Sequence, residues 1–211
     1  MKDYKIELID KKIAKKIIID NHYSHAWSSC RYALGLILDG EVVGVAVYGF
    51  PIGRLVIKSI SPILENTDVL ELTRLFVYDS EGKNTESYFI SQTFKWLREN
   101  TKIKCLISYA DPQHGHLGII YQATNWLYQG NKTALVKNYT HYMFGEALHP
   151  RTCVARYGTI KPKILKKIDP NYERVWMPNK HRYIYIIDKK SKKDIMKTLK
   201  HKVIEYPKIV E

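Results

Sequence analysis

Residues 69–110 read VLELTRLFVY, DSEGKN, TESYFISQTFKWLR, ENTKIK and CLISYA in succession. Val69 to Tyr78 is an apolar run of strand length, and Asp79 to Asn84 is turn chemistry leading out of it. Thr85 to Arg98 reads as a helix whose core face is made by Phe89, Phe94, Trp96 and Leu97. Cys105 to Ala110 is a second apolar strand. A strand, a helix and a strand in that order predict parallel pairing through a crossover, so the fold class is α/β.

Outward from this unit, Tyr4, Ile6 and Leu8 alternate with Lys5 and Glu7 as a first strand, and Lys11 to Asp20 carries Ile13, Ile17 and Ile18 at helical spacing. Tyr32 to Leu38 and Val42 to Tyr48 flank Asp39-Gly40-Glu41, a strong hairpin signal. The sheet is therefore mixed, with helices flanking it. Leu55 to Ile60, closed by Ser61-Pro62, reads as a short further strand. Leu117 to Trp126 reads as a helix, Trp126 to Gln129 as the start of a strand, and Arg182 to Asp188 as a closing strand.

The chain is long enough for one sizeable core. It divides into a single domain over 1–188, with a basic C-terminal portion over 131–188, and a lysine-rich tail over 189–211. No apolar run is long enough for a membrane span, and Met1 to Lys5 lacks a secretory signal, so a cytoplasmic protein with no membrane partner is expected. Cys30, Cys105 and Cys153 are too far apart for a disulfide framework or a zinc knuckle and read as free thiols.

Charge is distributed unevenly. Residues 1–130 carry 15 Lys/Arg against 14 Asp/Glu, whereas residues 131–211 carry 19 against 7. A polyanion held by one region explains this asymmetry, because neutralised phosphates release counterions; a solvated lysine surface is the plainer alternative.

Four polar clusters interrupt the apolar pattern. Asn21-His22-Tyr23-Ser24-His25 ends the first helix and offers acid–base or metal-binding groups, or a capping loop with two ordinary histidines. Glu71 and Arg74 stand inside an apolar strand, where charge needs partners or a cavity; strict alternation puts them on opposite faces. Gly82 to Ser87 opens the main helix, where free N–H groups favour an anionic ligand; an N-cap at Asn84 or Thr85 needs no ligand. The densest is Tyr109 to Gly118 followed by Ile120-Tyr121-Gln122-Ala123: an aspartate, Asp111, ending a buried strand, then His114, His116, two glycines and a tyrosine, Tyr121, entering a helix. The Asp111, His114 and His116 spacing matches no common structural zinc site.

In this order, His22-Tyr23-Ser24, Gly49-Phe50-Pro51, Glu71-Leu72-Thr73-Arg74, Asn84-Thr85-Glu86-Ser87, Ile107 to Asp111 and Ile120-Tyr121-Gln122-Ala123 resemble the Mom family of phage DNA adenine-modification proteins. The resemblance implies a GNAT-like (acyl-CoA N-acyltransferase) single domain. It also implies a transferase that modifies the N6 amine of adenine in double-stranded DNA by carbamoylmethylation or a related group, protecting phage DNA from host restriction. The corresponding catalytic positions are His22, Tyr23, Arg74, Ser87, Asp111 and Tyr121. A donor would lie along Lys83, Asn84, Thr85 and Ser87. That loop lacks the Gln/Arg-x-x-Gly-x-Gly/Ala turn of ordinary acetyltransferases, so the donor is left open between acyl-coenzyme A and another activated compound. Iron held near His22, Tyr23 and Asp111 is a further option, since the added group is not a simple acyl. Lys161, Lys163, Lys166, Lys167, Lys180 and Arg182 are the expected DNA contacts. The rivals are a conventional N-acetyltransferase acting on a protein or small amine and a non-catalytic DNA-binding protein.

Overall fold

The computed structural model describes residues 2–133 and 138–208. In chain order the main body contains β1 (Lys5–Leu8), α1 (Lys11–Asn21), β2 (Tyr32–Leu38), β3 (Glu41–Gly49), α2 (Arg54–Ile60), β4 (Val69–Val77), α3 (Thr85–Asn100), β5 (Cys105–Ala110), α4 (Ile119–Ala123) and β6 (Leu127–Tyr128). Then come β7 (Tyr139–Met143), β8 (Glu146–Leu148), α5 (Pro150–Tyr157), α6 (Pro162–Ile168) and β9 (Glu173–Trp176), followed by β10 (His181–Ile186) and α7 (Lys192–Lys197). The main sheet runs β1-β2-β3-β4-β5-β10-β6. Its β4–β5 pairing is parallel and the others are antiparallel, which is the crossover expected from residues 69–110.

The β2–β3 hairpin turns at Asp39 and Gly40, both at positive φ (51° and 86°), a conformation that Asp tolerates and Gly adopts without a Cβ penalty. Gly49 ends β3 where a side chain has no room: a Cβ there would stand 2.1 Å from the Ser29 carbonyl oxygen. α3 packs Phe89, Ile90, Phe94 and Leu97 onto one face of the sheet, against Leu34, Leu36, Leu70 and Leu106. The opposite face is covered by α1 through Ala14 and Ile18 and by α2 through Ile57 and Ile60.

Residues 54–60 form a helix, correcting the strand expected at Leu55–Ile60. The run is too short for periodicity to separate the two states. Burial decides it, because Ile57 and Ile60, one helical turn apart, both insert against Val69, Cys105 and Ile107.

Strand β4 contains a bulge. Val47 pairs with Arg74 and Tyr48 with Leu72, which leaves Thr73 as the extra residue. The side-chain pattern reverses across it: Leu70 and Leu72 face α3, and after the bulge so do Leu75 and Val77, while Val69 and Phe76 face the other way. Glu71 and Arg74, which strict alternation places on opposite faces, therefore share one. The β4–β5 pairing covers only Val69, Leu70 and Glu71 against Cys105, Leu106 and Ile107. Beyond that point the two strands are no longer paired.

A second sheet, β8-β7-β9, has its own small core of Met143, Leu148, Cys153, Leu165 and Tyr172 under α5 and α6. The chain then returns as β10 between β5 and β6. The segment after β10 packs back on the body. Ile195 of α7 is fully buried, the Lys200 amide donates to Ile60 O at 3.0 Å and the Ile204 amide to Tyr128 O at 2.9 Å, and Tyr206 Oη donates to Trp126 O at 2.7 Å. Among the described residues no helix is long and apolar enough to cross a membrane. Cys105 and Cys153 are buried and all three cysteines are free thiols.

Because Ile195 fills a closed core beside Ile184 and Ile186, Ile195→Ala is expected to lower stability by about 2–5 kcal/mol, the range for emptying a buried Ile site. Urea titration followed by circular dichroism measures it. A loosely attached tail would give a change close to zero.

Candidate functional site

Where β4 and β5 part, the sheet opens into a cleft of about 410 Å³. Its walls are residues 72–77 of β4, Tyr109 to Asp111 at the end of β5, the loop Gly115 to Gly118, the start of α4, and the end of α1 at Asn21, His22 and Tyr23. The cleft thus brings together five of the six expected catalytic residues: His22, Tyr23, Arg74, Asp111 and Tyr121.

His22 caps the C-terminus of α1 and is buried, with 8% of its surface exposed. Its Nδ1 accepts the Ser24 backbone N–H at 3.1 Å and lies 2.8 Å from Ser24 Oγ. A backbone N–H only donates, so Nδ1 is the acceptor and the proton of the neutral ring sits on Nε2. Burial, then Arg74 and the neighbouring imidazoles of His116 and His25, push its pKa down to about 4. At neutral pH His22 is an uncharged ring presenting an N–H donor. Tyr23, half exposed, packs against it in a tilted arrangement at 4.3 Å between ring centres and meets His114 at 4.7 Å and His116 at 5.2 Å.

Arg74 is aimed by the bulge. Its Nε donates to Ala26 O at 2.9 Å and Nη1 to Thr73 O at 2.6 Å, which fixes the guanidinium plane. Burial lowers its pKa from the ordinary arginine value, while Tyr23 and Glu71 act in the opposite sense. A guanidinium remains charged through such a shift, so the cleft holds a fixed cation with further donors for a ligand. Thr73, the bulged residue, is itself tied down, donating to Val47 O at 3.1 Å and accepting from Ser28 Oγ at 2.7 Å.

Asp111 ends β5 and caps the following turn by accepting the Gln113 N–H at 3.1 Å. Its other carboxylate oxygen pairs with Lys180 Nζ at 2.9 Å. Tyr121 is buried, and burial pushes its phenol up to about 12. Its Oη lies 2.7 Å from Ser108 Oγ, and Ser108 Oγ lies 2.8 Å from Leu72 O. Ser108 has one proton for these two acceptors. When it donates to Leu72 O, the phenol donates to Ser108; when it donates to the phenol, the tyrosine proton is released towards the cleft. Gly118 positions α4 here: its φ is +77°, and a Cβ would stand 2.5 Å from the Tyr183 ring.

Ser87 does not line this cleft. It donates to Asn84 O at 2.9 Å and lines a separate groove with Asn84, Tyr88 and Arg98. Helix geometry accounts for the separation, since Glu86, one residue earlier, faces the cleft and successive helical residues diverge by about 100°. In the expected donor loop, Thr85 is buried and donates to Glu81 O and Gly82 O, each at 3.0 Å, so its hydroxyl is used internally. Lys83 is exposed. Asn84 adopts a left-handed conformation (φ 67°) and makes no side-chain cap bond, which leaves the first-turn N–H groups uncapped by it. These groups fit an anionic donor, although Glu86 in the same turn adds a charge of the wrong sign. His22, Tyr23 and Asp111 share a cleft, but Nδ1 of His22 and the carboxylate of Asp111 are already engaged by Ser24 and Lys180. No group of three or more His, Cys, Asp or Glu side chains among the described residues is arranged to hold a metal.

The expected DNA contacts divide in two. Lys161, Lys163, Lys166 and Lys167 are exposed on and beside α6, around the buried Leu165. Lys180 is half exposed and held by Asp111 at the edge of the cleft. Arg182 is a correction: it is 2% exposed, packed within β10, with Nη1 donating to Ser59 Oγ at 3.0 Å, so it has no access to a phosphate. The closing strand lies between β5 and β6 with nearly every residue buried, Arg182 included, a consequence that basic character alone conceals. Sequence reading placed Tyr109 in the densest polar cluster but gave no role to it or to Ser108; the signal for Ser108 was a polar hydroxyl inside the apolar run CLISYA.

The comparisons with known proteins fit this geometry. The chain is similar to the ribosomal-protein-S5-alanine acetyltransferase of Vibrio fischeri, with a TM-score of 0.50 and 11% identity, covering 90% of this chain and 96% of that one. It is also similar to spermidine N-acetyltransferase from Vibrio cholerae, with a TM-score of 0.50 and 7% identity over 90% of this chain and 97% of that one. At such identities the likeness carries the fold alone, and the fold is that of the GNAT acetyltransferases. In sequence the chain is 28% identical over 214 residues to the methylcarbamoylase Mom of Escherichia phage Mu, covering 98% of this chain and 85% of that protein. A family model described as the Mom protein family matches residues 3–208, nearly the whole length, and the chain belongs to that family.

Proposed function

We propose that this chain is a DNA-modifying transferase that places a carbamoylmethyl or related group on the N6 amine of adenine. The observation that carries the reading is the cleft at the β4–β5 fork, which gathers His22, Tyr23, Arg74, Asp111 and Tyr121 from four separate stretches of chain. Membership of the Mom family and the name methylcarbamoylase of the phage Mu relative support DNA as the substrate and this class of group.

The N6 lone pair is delocalised into the purine ring, so attack on a donor carbon needs the amine proton removed as the bond forms. Asp111, a carboxylate at the mouth of β5, is the acceptor for that proton. His22 does not serve as the base, since its Nε2 carries a hydrogen in the neutral ring; it donates a hydrogen bond instead. Arg74 stabilises negative charge developing on the donor, in a cleft where partial burial strengthens the interaction. As the new N–C bond forms, the bond to the leaving group breaks, its electron pair departs with that group, and Tyr121 supplies the proton. Ser108 positions this phenol by choosing which acceptor its single hydrogen takes. The adenine must leave the duplex stack to reach the cleft, and Tyr23 at its rim offers an exposed ring to receive it. The exposed lysines on α6 and Lys180 supply phosphate contacts. In this reading Ser87, with Lys83 and Asn84, lies on the donor side of α3 and acts on the donor alone.

Mass spectrometry of nucleosides from DNA of cells expressing the chain is expected to show a new adenosine-derived mass. Arg74→Ala and Asp111→Ala abolish it while leaving DNA affinity and its salt slope nearly unchanged. Modified protein or free amine with unmodified DNA would instead establish a conventional acetyltransferase.

Tyr121→Phe should reduce modification by about 100-fold, the scale of a lost general acid. Ser108→Ala should reduce it by about tenfold, Ser108→Thr should restore it, and Ser108→Ala added to Tyr121→Phe should cost nothing more, because Ser108 acts through the phenol. An independent loss from Ser108→Ala in the phenylalanine background contradicts the relay.

The depressed His22 pKa also has a stability consequence. An unfolded histidine binds its proton below about 6.5, the folded one only below about 4, so the unfolded state takes up more protons across that window and stability falls as pH drops through it. His22→Gln should remove this part of the pH dependence. An NMR titration of the His22 ring with a midpoint near 6.5 would contradict the assignment.

A further inference from the structure

The small second sheet carries a groove of about 370 Å³ between α6 and its edge strand β9, sharing no lining residue with the cleft. All four residues of β9 are exposed. Register places Tyr139 opposite Trp176 and His141 opposite Arg174, so these side chains share one face. On that face the Arg174 guanidinium lies 4.7 Å from the Trp176 ring centre and 5.5 Å from that of Tyr139. The two rings meet edge to face at 5.5 Å. The cation is thereby held beside an indole that remains 53% exposed.

An edge strand with an exposed tryptophan is an aggregation hazard that folded proteins ordinarily blunt, and a flat cation beside an aromatic ring is what a nucleic-acid strand recognises through its bases and phosphates together. The surroundings have the matching charge. Residues 138–180 carry eight Lys/Arg against three Asp/Glu, and Lys166 of α6 lines the groove. Glu173 is the acidic residue among those lining it. Lys163 and Lys167 extend the exposed basic row along the same helix.

We propose that this groove is a second DNA-contacting site, in which a strand runs its phosphates along α6 and stacks one unpaired base against Trp176 and Arg174. The groove's volume is within the range of sites that take a nucleotide-sized group, about 300–1,000 Å³. The assignment rests on the reading that the chain acts on DNA, and it adds a contact that holds the substrate independently of the chemistry in the cleft.

The test is a titration of the full chain with a single-stranded oligodeoxynucleotide, following tryptophan emission, with inorganic polyphosphate as the control anion. DNA is expected to quench emission in the parent and in Trp27→Phe, and to lose most of that quenching in Trp176→Phe. Trp176→Ala should weaken oligonucleotide binding about tenfold, on the scale of one stacked base, with the salt slope and polyphosphate binding unchanged. Lys166→Ala should weaken both ligands and flatten the salt slope by about 0.7, the value for one phosphate contact on a single strand. Trp176→Phe, which keeps a ring, should retain affinity within about threefold and shows whether a loss in the alanine variant reflects the missing ring. Unchanged DNA affinity in Trp176→Ala, or equal quenching by polyphosphate, overturns the proposal. Nucleoside analysis separates this outcome from a failure of the cleft's assignment: a new adenosine mass together with unchanged Trp176→Ala affinity removes the groove alone, whereas intact Trp176 quenching with no modified nucleoside removes the cleft's chemistry alone.

Discussion

The structure depends on a limited pairing: β4 and β5 run parallel for three residue pairs and then separate. A parallel pair that continued would fill its ladder and close the sheet. Its early end exposes backbone and side chains of both strands on an open wedge, and every candidate catalytic group except Ser87 lines that wedge. Ser108 stands one residue beyond the last pair, where its hydroxyl takes the Leu72 carbonyl that the parted strand leaves behind. The same hydroxyl reaches Tyr121. Sheet geometry and proton positioning are thus linked through one side chain.

The bulge at Thr73 makes the fork useful. Without it Arg74 would fall on the α3 side, among Leu70, Leu72 and Phe89, where an unpaired guanidinium is costly. With it, Arg74 turns to the α1 side, donates to the Ala26 carbonyl and sets its charge where His22 feels it. Backbone irregularity here converts a residue that alternation would bury in a dry core into the fixed cation of the cleft.

Much of this was legible in the sequence. The crossover from Val69 to Ala110 and the Asp39-Gly40 turn follow from apolar runs and turn chemistry, and both formed as expected. The clusters at His22, Arg74, Asp111 and Tyr121 stood out because polar groups interrupted apolar runs. What stayed hidden depends on contacts between distant segments. A bulge leaves no mark in a period-two pattern read from one strand, so the shared face of Glu71 and Arg74 was unreadable. Leu55–Ile60 is helical because of what it packs on, and Arg182 is buried because β10 inserts between two strands made much earlier in the chain. The tautomer of His22 is set by a backbone amide two residues away, a local feature that becomes visible only once the loop geometry is known.

The excursion from β6 to β10 has a consequence for how such a molecule changes over time. Leu127 and Tyr128 pair directly with Ile184 and Tyr183, so the intervening segment departs and rejoins at neighbouring strands about 5 Å apart. A module attached through two adjacent points can be lengthened, trimmed or exchanged with little disturbance to the sheet that carries it. Lys180, at the returning stem, pairs with Asp111 and is the place where such exchange would be felt by the cleft. The architecture thereby lets the surface of one part drift while the residues lining the cleft stay under separate constraint in the other.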